Sequence, residues 1–311
     1  MDYVIGSFNI RDFNYSNQSS DGEKIARDFD KIAQIIIKED FAVVGIQEVN
    51  AESPVRHLTH ILNMKKNIMQ EWEYVYSGQA SKEVSDPEGY AFIWNAKKLR
   101  LLNVPRNNNP RFYENAGGVT LLRPPYYARF TARGLVGGTN FELRLLNVHI
   151  RDAISEIDRI KEFDILVKQV LPRCCDHTEM SIENEVMPAY TFMLGDYNLR
   201  LDKGPRAQIR IESITDTNYT GKRRYYKSVQ EEPTSLRQVA EQQSIGDCYA
   251  NNYDHFTYEY DLIKKLTLHE ERVEALGTYF SKEKEPSKML QSYRTKVSDH
   301  VPIKMNVGLK K

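Results

Sequence analysis

The first 69 residues of this 311-residue chain alternate between two hydrophobic periods, and that alternation restricts the fold more than any other feature. "YVIGSFNI" reads as a buried strand, and "GEKIARDFDKIAQIIIKED" then places Ile25, Phe29, Ile32 and Ile36 at helical spacing. "FAVVGIQEV" is a second apolar strand with a charged stop, and "PVRHLTHILNMKKNIM" a second helix. A β-α-β-α start commits the chain to a sheet covered by helices.

From "WEYVYSG" onward strands predominate: "GYAFIWN", "LRLLNV", "YYARFTARG" and "NFELRLLNVHI", with turns such as "LVGGTN" between them. A helix at "AISEIDRIKEFDILVKQVL", the strand "YTFMLG" and a closing strand "VPIKMNV" follow. The second half thus repeats the order of the first. Two packed sheets with helices outside are expected, and since no Pro/Gly/Ser linker separates the halves, residues 1–311 are read as one domain. The polar stretches 173–189 and 202–245 read as long loops.

Charge and cysteine content narrow the function classes. Lys+Arg and Asp+Glu each number 43, so no global basic field drives the chain toward polyanions, and anion binding has to be local. Three cysteines, two of them adjacent, give no disulfide framework and no metal-type spacing, which suits a reducing compartment. The opening residues lack the pattern of a leader and no run of about 18 apolar residues occurs. The expectation is a cytoplasmic monomer with no stable membrane association.

Several strands end in polar residues of one chemical kind: Asn9 in "SFNI", Glu48 in "GIQEV", His149 in "LNVHI", Asp196 and Asn198 in "LGDYN", and Asp299 and His300 in "VSDHVPI". Any one of them is a common strand stop by turn chemistry, and a lone histidine is usually a packed core residue. Together they form a set of hard oxygen donors with two imidazoles, which suits Mg2+ or Mn2+ better than structural zinc. Carboxylates gathered in one pocket repel one another unless a cation or a shared proton compensates them.

"FNIR", "IQEV", "EGYAF", "NVHIR", "GDYN", "NYDHF" and "SDHVPI" resemble, in order and approximate spacing, the motifs of the endonuclease/exonuclease/phosphatase superfamily, nearest to its deoxyribonuclease I-like branch. The resemblance runs from residue 3 to about residue 307. It implies an α/β fold, a four-layer α-β-β-α sandwich of two packed mixed sheets flanked by helices, and magnesium-dependent phosphoester cleavage. Glu48 would hold the metal with Asn9 and Asp299 beside it. His149 oriented by Glu88, and His300 oriented by Asp254, would be the catalytic imidazoles. Asp196 and Asn198 would bind the scissile phosphate and the attacking water, with one metal or two left open. Their two-residue spacing puts both on one face if the strand continues, and Gly195 would let backbone and phosphate approach closely.

Arg11, Arg123 of "LRPPYYARF" and Tyr253 match residues that contact the DNA backbone in that branch, which implies a nucleic acid substrate, DNA first. "GKRRYYKS" interleaves basic and aromatic residues as a rim site would. Asn50 stands where the branch has an arginine, and Cys248 lacks a disulfide partner. "LGDYNLRLD" also resembles inositol-polyphosphate 5-phosphatases, but "ANNYDHF" departs from their motif. A sphingomyelinase-like lipid phosphodiesterase and a non-catalytic binding module rank below.

Overall fold

The computed structural model describes residues 2–15, 26–65, 70–80, 88–102, 109–113, 115–116, 119–132, 141–152, 154–175, 188–201, 212–215, 223–229, 232–238 and 243–310. The strands of the first half are β1 (Asp2–Phe13), β2 (Phe41–Val49), β3 (Trp72–Gln79), β4 (Gly89–Asn95), β5 (Leu99–Leu101), β6 (Arg111–Phe112), β7 (Asn115–Ala116), β8 (Val119–Thr120), β9 (Tyr126–Ala132) and β10 (Glu142–His149). The second half adds β11 (Ala189–Asp196), β12 (Glu212–Thr215), β13 (Arg223–Val229), β14 (Asp254–Glu259), β15 (Leu266–Arg272) and β16 (Ile303–Leu309). One sheet has the order β15-β16-β1-β2-β4-β3 and the other β12-β13-β14-β11-β10-β9-β5, with β6 on β9 and a separate β7-β8 pair. β1 and β2 are parallel, as are β10 and β11, while β16 and β14 join them antiparallel, so both sheets are mixed.

Side chains alternate faces along a strand, and that parity assigns each residue to a layer. Ile5, Val43, Phe92, Phe130, Leu143, Leu145, Phe192, Leu194, Phe256 and Met305 pack between the two sheets. Their neighbours of opposite parity face outward onto helices: Phe8, Ile10, Val44 and Ile46 on one side, Leu146, Val148 and Met193 on the other. The helices are α1 (Phe29–Lys38), α2 (Glu52–Lys65), α3 (Glu156–Ile165), α4 (Leu171–Cys175), α5 (Ala275–Tyr279) and α6 (Pro286–Lys296). α1, α2, α5 and α6 cover the first sheet, and α3 and α4 cover the second, which makes the four layers.

α1 shows why the helices sit where they do. Ile32, Ala33, Ile35 and Ile36 form its buried stripe, and the Asp28 side chain caps its start by accepting from Lys31 N at 2.9 Å. That cap contributes about 1 kcal/mol, and each buried isoleucine about 1.5–3 kcal/mol.

Two readings of the sequence need correction. The stretch 202–245 is not all loop, since β12 and β13 form a hairpin that extends the second sheet. The helix expected over 153–171 is not α-helical throughout, since it contains a π-helical turn at Leu166–Val170 whose Leu166, Val167 and Val170 are buried. The closing strand β16 pairs with β1, so the two ends of the chain share one sheet. β15, α5 and α6 carry apolar residues too sparse for a clear period, and no pattern in the sequence marks them. Ile25, the turn 135–140, and residues 176–187, 202–211 and 216–222 of the expected loops and basic patch lie outside the described residues.

Gly195 is required by the fold itself. It has φ +147°, and a Cβ there would lie 1.8 Å from the Val148 carbonyl oxygen of the neighbouring β10. Gly195→Ala is therefore expected to destabilise the protein by more than about 2 kcal/mol, read from denaturant unfolding. A loss below about 0.5 kcal/mol would show that the strand pair adapts.

Candidate active site

Parity also delivers the polar residues. On the face between the sheets β1 carries Tyr3, Ile5, Ser7 and Asn9; β10 carries Leu143, Leu145, Asn147 and His149; β11 carries Phe192, Leu194 and Asp196. Each series runs from apolar to polar toward the same end of the sandwich. There a cavity of about 320 Å3 is lined by Arg11, Asp12, Glu48, Asn50, Glu88, Arg123, His149, Asp152, Asp196, Asn198, Gln238, Asp299 and His300. Just beneath it a buried amide network spans the sheets: Gln47 Nε2 donates to Asn147 Oδ1 at 2.6 Å and to Ser7 Oγ at 3.1 Å. Asn147 Nδ2 in turn donates to the Ile46 carbonyl at 3.1 Å, so the strand ends carrying Glu48 and His149 are tied together.

Glu48 does not follow parity. It shares the parity of Val44 and Ile46, which face the helices, yet its Oε1 accepts from Asn9 Nδ2 at 2.8 Å inside the cavity. The cause is a left-handed backbone, φ +57°, at a register shift between β2 and β4. Asp12 (φ +47°) and Asn198 (φ +48°) are left-handed as well. Non-glycine residues adopt this conformation at a cost of about 1–3 kcal/mol, and such strain concentrates at functional sites. β11 ends at Asp196, so Asn198 reaches the cavity by a turn and not by strand alternation, its N–H donating to Asp196 Oδ1 at 2.8 Å.

Both expected imidazole pairs are formed. His149 Nδ1 lies 2.6 Å from Glu88 Oε1, and His300 Nδ1 lies 2.7 Å from Asp254 Oδ2. The two Nε2 atoms converge on one oxygen, Asp196 Oδ2, at 3.8 Å from His149 and 3.6 Å from His300. Asn198 Nδ2 lies 3.3 Å from His149 Nε2 and also donates to the Ile150 carbonyl at 2.8 Å. Burial pulls both imidazoles down, but the carboxylates win: Glu88 and then Asp196 lift His149 to about 9 against the opposing charge of Arg123. Asp254 and Asp196 lift His300 well above the ordinary histidine value.

The donor set fits a divalent cation. Six carboxylates against two guanidinium groups line the cavity. Burial, with Glu88 and Asp299 nearby, raises Glu48 to about 7 even though His149 and Asn9 favour its charged form. Asn9 Oδ1 is buried with no hydrogen-bond partner, an orphan acceptor beside Glu48. Asp299 stands next to them, 3.5 Å from Arg11 Nη1 and 3.9 Å from Arg294 Nη2. A second acidic group, Asp196, Asp254 and His300, also has metal-like spacing, but Asp254 already holds His300 Nδ1.

Of the three residues matched to DNA contacts, Arg11 and Arg123 line the cavity and Tyr253 does not. Arg123 is buried against Glu88, Nη2 to Oε2 at 2.9 Å. Tyr253 is half-buried, and its carbonyl accepts from Tyr197 N at 2.8 Å. Asp12, Asp152, Gln238, Ser298 and the Gln47 network were missed by the sequence reading. Ser298 Oγ donates to the Asn9 carbonyl at 2.7 Å and accepts from His300 N at 3.1 Å, joining β1 to the turn that carries Asp299 and His300. Its place in "SDH", and those of Gln47 and Asn147 in "IQEV" and "NVH", were the available signals.

Glu162 on α3 is buried near Arg123 and His149, and burial raises it to about 7 despite their attraction. Because the folded value lies above the unfolded one of about 4.5, its ionisation costs stability progressively from pH 4.5 to 7 and fully above. Glu162→Gln is expected to stabilise the protein by about 1–2 kcal/mol at pH 8 and by almost nothing at pH 4.5. Equal unfolding free energies of variant and parent at pH 8 would refute the penalty.

No protein-family model matches the sequence, and no curated protein is similar to it in sequence. Solved structures are similar along nearly the whole chain. An endonuclease/exonuclease/phosphatase family protein from Bacteroides thetaiotaomicron is 13% identical, with 100% of this chain and 98% of that one covered and a TM-score of 0.56. ANGEL2, a 2′,3′-cyclic phosphatase in complex with adenosine-2′,3′-vanadate, is 13% identical over 100% of this chain and 96% of that one, TM-score 0.57. TDP2 from D. rerio, complexed with a single-strand DNA product, is 13% identical over 99% of both chains, TM-score 0.54. The chain has the deoxyribonuclease I-like fold of the endonuclease/exonuclease/phosphatase proteins.

Proposed function

We propose that this protein is a metal-dependent phosphodiesterase, a deoxyribonuclease I-like endonuclease that hydrolyses the DNA backbone with Mg2+, or Mn2+ in its place. The observation that carries the reading is the convergence of two carboxylate-held imidazoles on Asp196 Oδ2, beside the Glu48–Asn9 centre. Hydrolysis needs a proton taken from the attacking water and one given to the leaving oxygen. With Nδ1 of each histidine committed to a carboxylate, each Nε2 is the atom that faces the reacting groups. The imidazole that has given up its Nε2 proton takes the water proton as the new P–O bond forms, and the other, still protonated, gives its proton to the leaving oxygen as the old bond breaks. Asn198, anchored on the Ile150 carbonyl, steadies Nε2 of His149, and Arg11 offers charge to the phosphate. The cation, held by Glu48 and Asn9 with Asp299 beside them, would neutralise the phosphate oxygens.

Support for a nucleic acid substrate comes from the order of the motifs as a set, from Arg11 in the cavity lining, and from the contents of the ANGEL2 and TDP2 structures. Supercoiled plasmid incubated with Mg2+ is expected to be nicked, and chelator is expected to stop the reaction. Intact plasmid together with phosphate release from inositol polyphosphates would overturn the nuclease reading in favour of a phosphomonoesterase.

A further inference from the structure

We propose that Arg123 is a positioning residue that braces the Glu88–His149 pair, and that it does not grip substrate phosphate; this rests on the phosphodiesterase reading above. Arg123, Glu88 and His149 are 6%, 4% and 5% exposed, so their contacts form away from bulk water. Glu88 is held at both oxygens, Oε1 by His149 Nδ1 at 2.6 Å and Oε2 by Arg123 Nη2 at 2.9 Å. Arg123 Nη1 lies 3.3 Å from the same His149 Nδ1. The planar guanidinium therefore lies along the carboxylate and the ring edge, and any rotation of Glu88 that freed the imidazole would also break the ion pair.

The backbone supports this role. Pro124 and Pro125 are buried, and a residue preceding proline is confined to extended conformations. The Pro125 carbonyl accepts from Tyr113 N at 3.0 Å, which fixes the stretch from behind. Buried Glu162 attracts the Arg123 charge from α3. A guanidinium enclosed by Glu88, His149 and Glu162 is built to hold a carboxylate in place.

Arg123→Gln and Arg123→Lys, assayed with Mg2+ on a short DNA duplex over a salt series, separate the two roles. The brace predicts that kcat falls about 10- to 100-fold in the glutamine variant, as for other residues that orient a histidine ligand or base. It predicts KM within about twofold of the parent and an unchanged slope of log(kcat/KM) against log salt, with partial recovery in the lysine variant. A raised KM, intact kcat and a salt slope shallower by about 0.9 would instead mark a lost phosphate contact and overturn the proposal.

Proton NMR of the metal-free protein gives a readout that needs no turnover and uses the lysine variant, which keeps the buried charge balance. A low-field imidazole Nδ1–H resonance, assigned by its loss in Glu88→Gln, is expected in the parent. It is expected to broaden or shift in Arg123→Lys, and an unaltered resonance would overturn the brace. If the parent cleaves no DNA, the nuclease reading fails while the resonance still decides the role of Arg123.

Discussion

His300→Ala is expected to lower kcat by roughly 10²–10⁴-fold, the usual contribution of a positioned acid or base, with KM little changed. The expectation follows from commitment of the ring. His300 Nδ1 is taken by Asp254, and Nε2 is the free nitrogen, 3.6 Å from Asp196. Alanine leaves the Asp254 carboxylate buried, so a stability loss of about 1–3 kcal/mol accompanies the change. Circular dichroism and thermal unfolding separate that loss from the kinetic one. Turnover within about threefold of the parent, in a folded variant, would remove His300 from the proton-transfer steps. His149→Ala is expected to behave alike, since Glu88 holds its Nδ1 in the same way.

Glu48→Gln is expected to abolish Mg2+-dependent turnover and Mg2+-dependent stabilisation together. At a magnesium concentration about 100 times Kd the parent gains about 2.7 kcal/mol from binding, and the variant is expected to lose that gain. The metal-free variant is expected to move the other way. Ionised Glu48 is disfavoured by burial and by Glu88 and Asp299, its folded value of about 7 lying above the ordinary carboxylate value. Its ionisation therefore costs stability as pH rises from 4.5 through 7, and removing that charge restores about 2 kcal/mol at pH 8 and nothing at pH 4.5. Calorimetric unfolding with and without Mg2+ reads both effects. A magnesium-induced rise in Tm that survives in the glutamine variant would place the cation elsewhere.

The two predictions share a cause. The carboxylates that make the cavity fit a cation also raise the imidazoles, and the fold holds this charge at one end of a largely apolar layer between the sheets. The left-handed backbone at Asp12, Glu48 and Asn198 adds strain at the same end of the sandwich.

Much of this was legible in the sequence because strand parity is a local property. Alternation in "YVIGSFNI", "ELRLLNVHI" and "YTFMLGD" places Asn9, His149 and Asp196 on the face of Ile5, Leu145 and Leu194, and the apolar neighbours of opposite parity call for helices outside. The motif resemblance supplied the partners Glu88 and Asp254, which no local pattern links to their histidines across 61 and 46 residues.

Only the tertiary structure decided the rest, because it depends on backbone turns and pairings that side-chain order does not encode. By parity Glu48 belongs with the helices, and a left-handed bulge against β4 turns it into the cavity. The need for glycine at 195 is set by the carbonyl of a neighbouring strand 47 residues earlier in the chain. Arg123, read from its motif as a phosphate contact, is enclosed by Glu88 and His149. The sequence determined which polar residues end the strands; close contact between distant segments decided which of them line the cavity and which pair with one another.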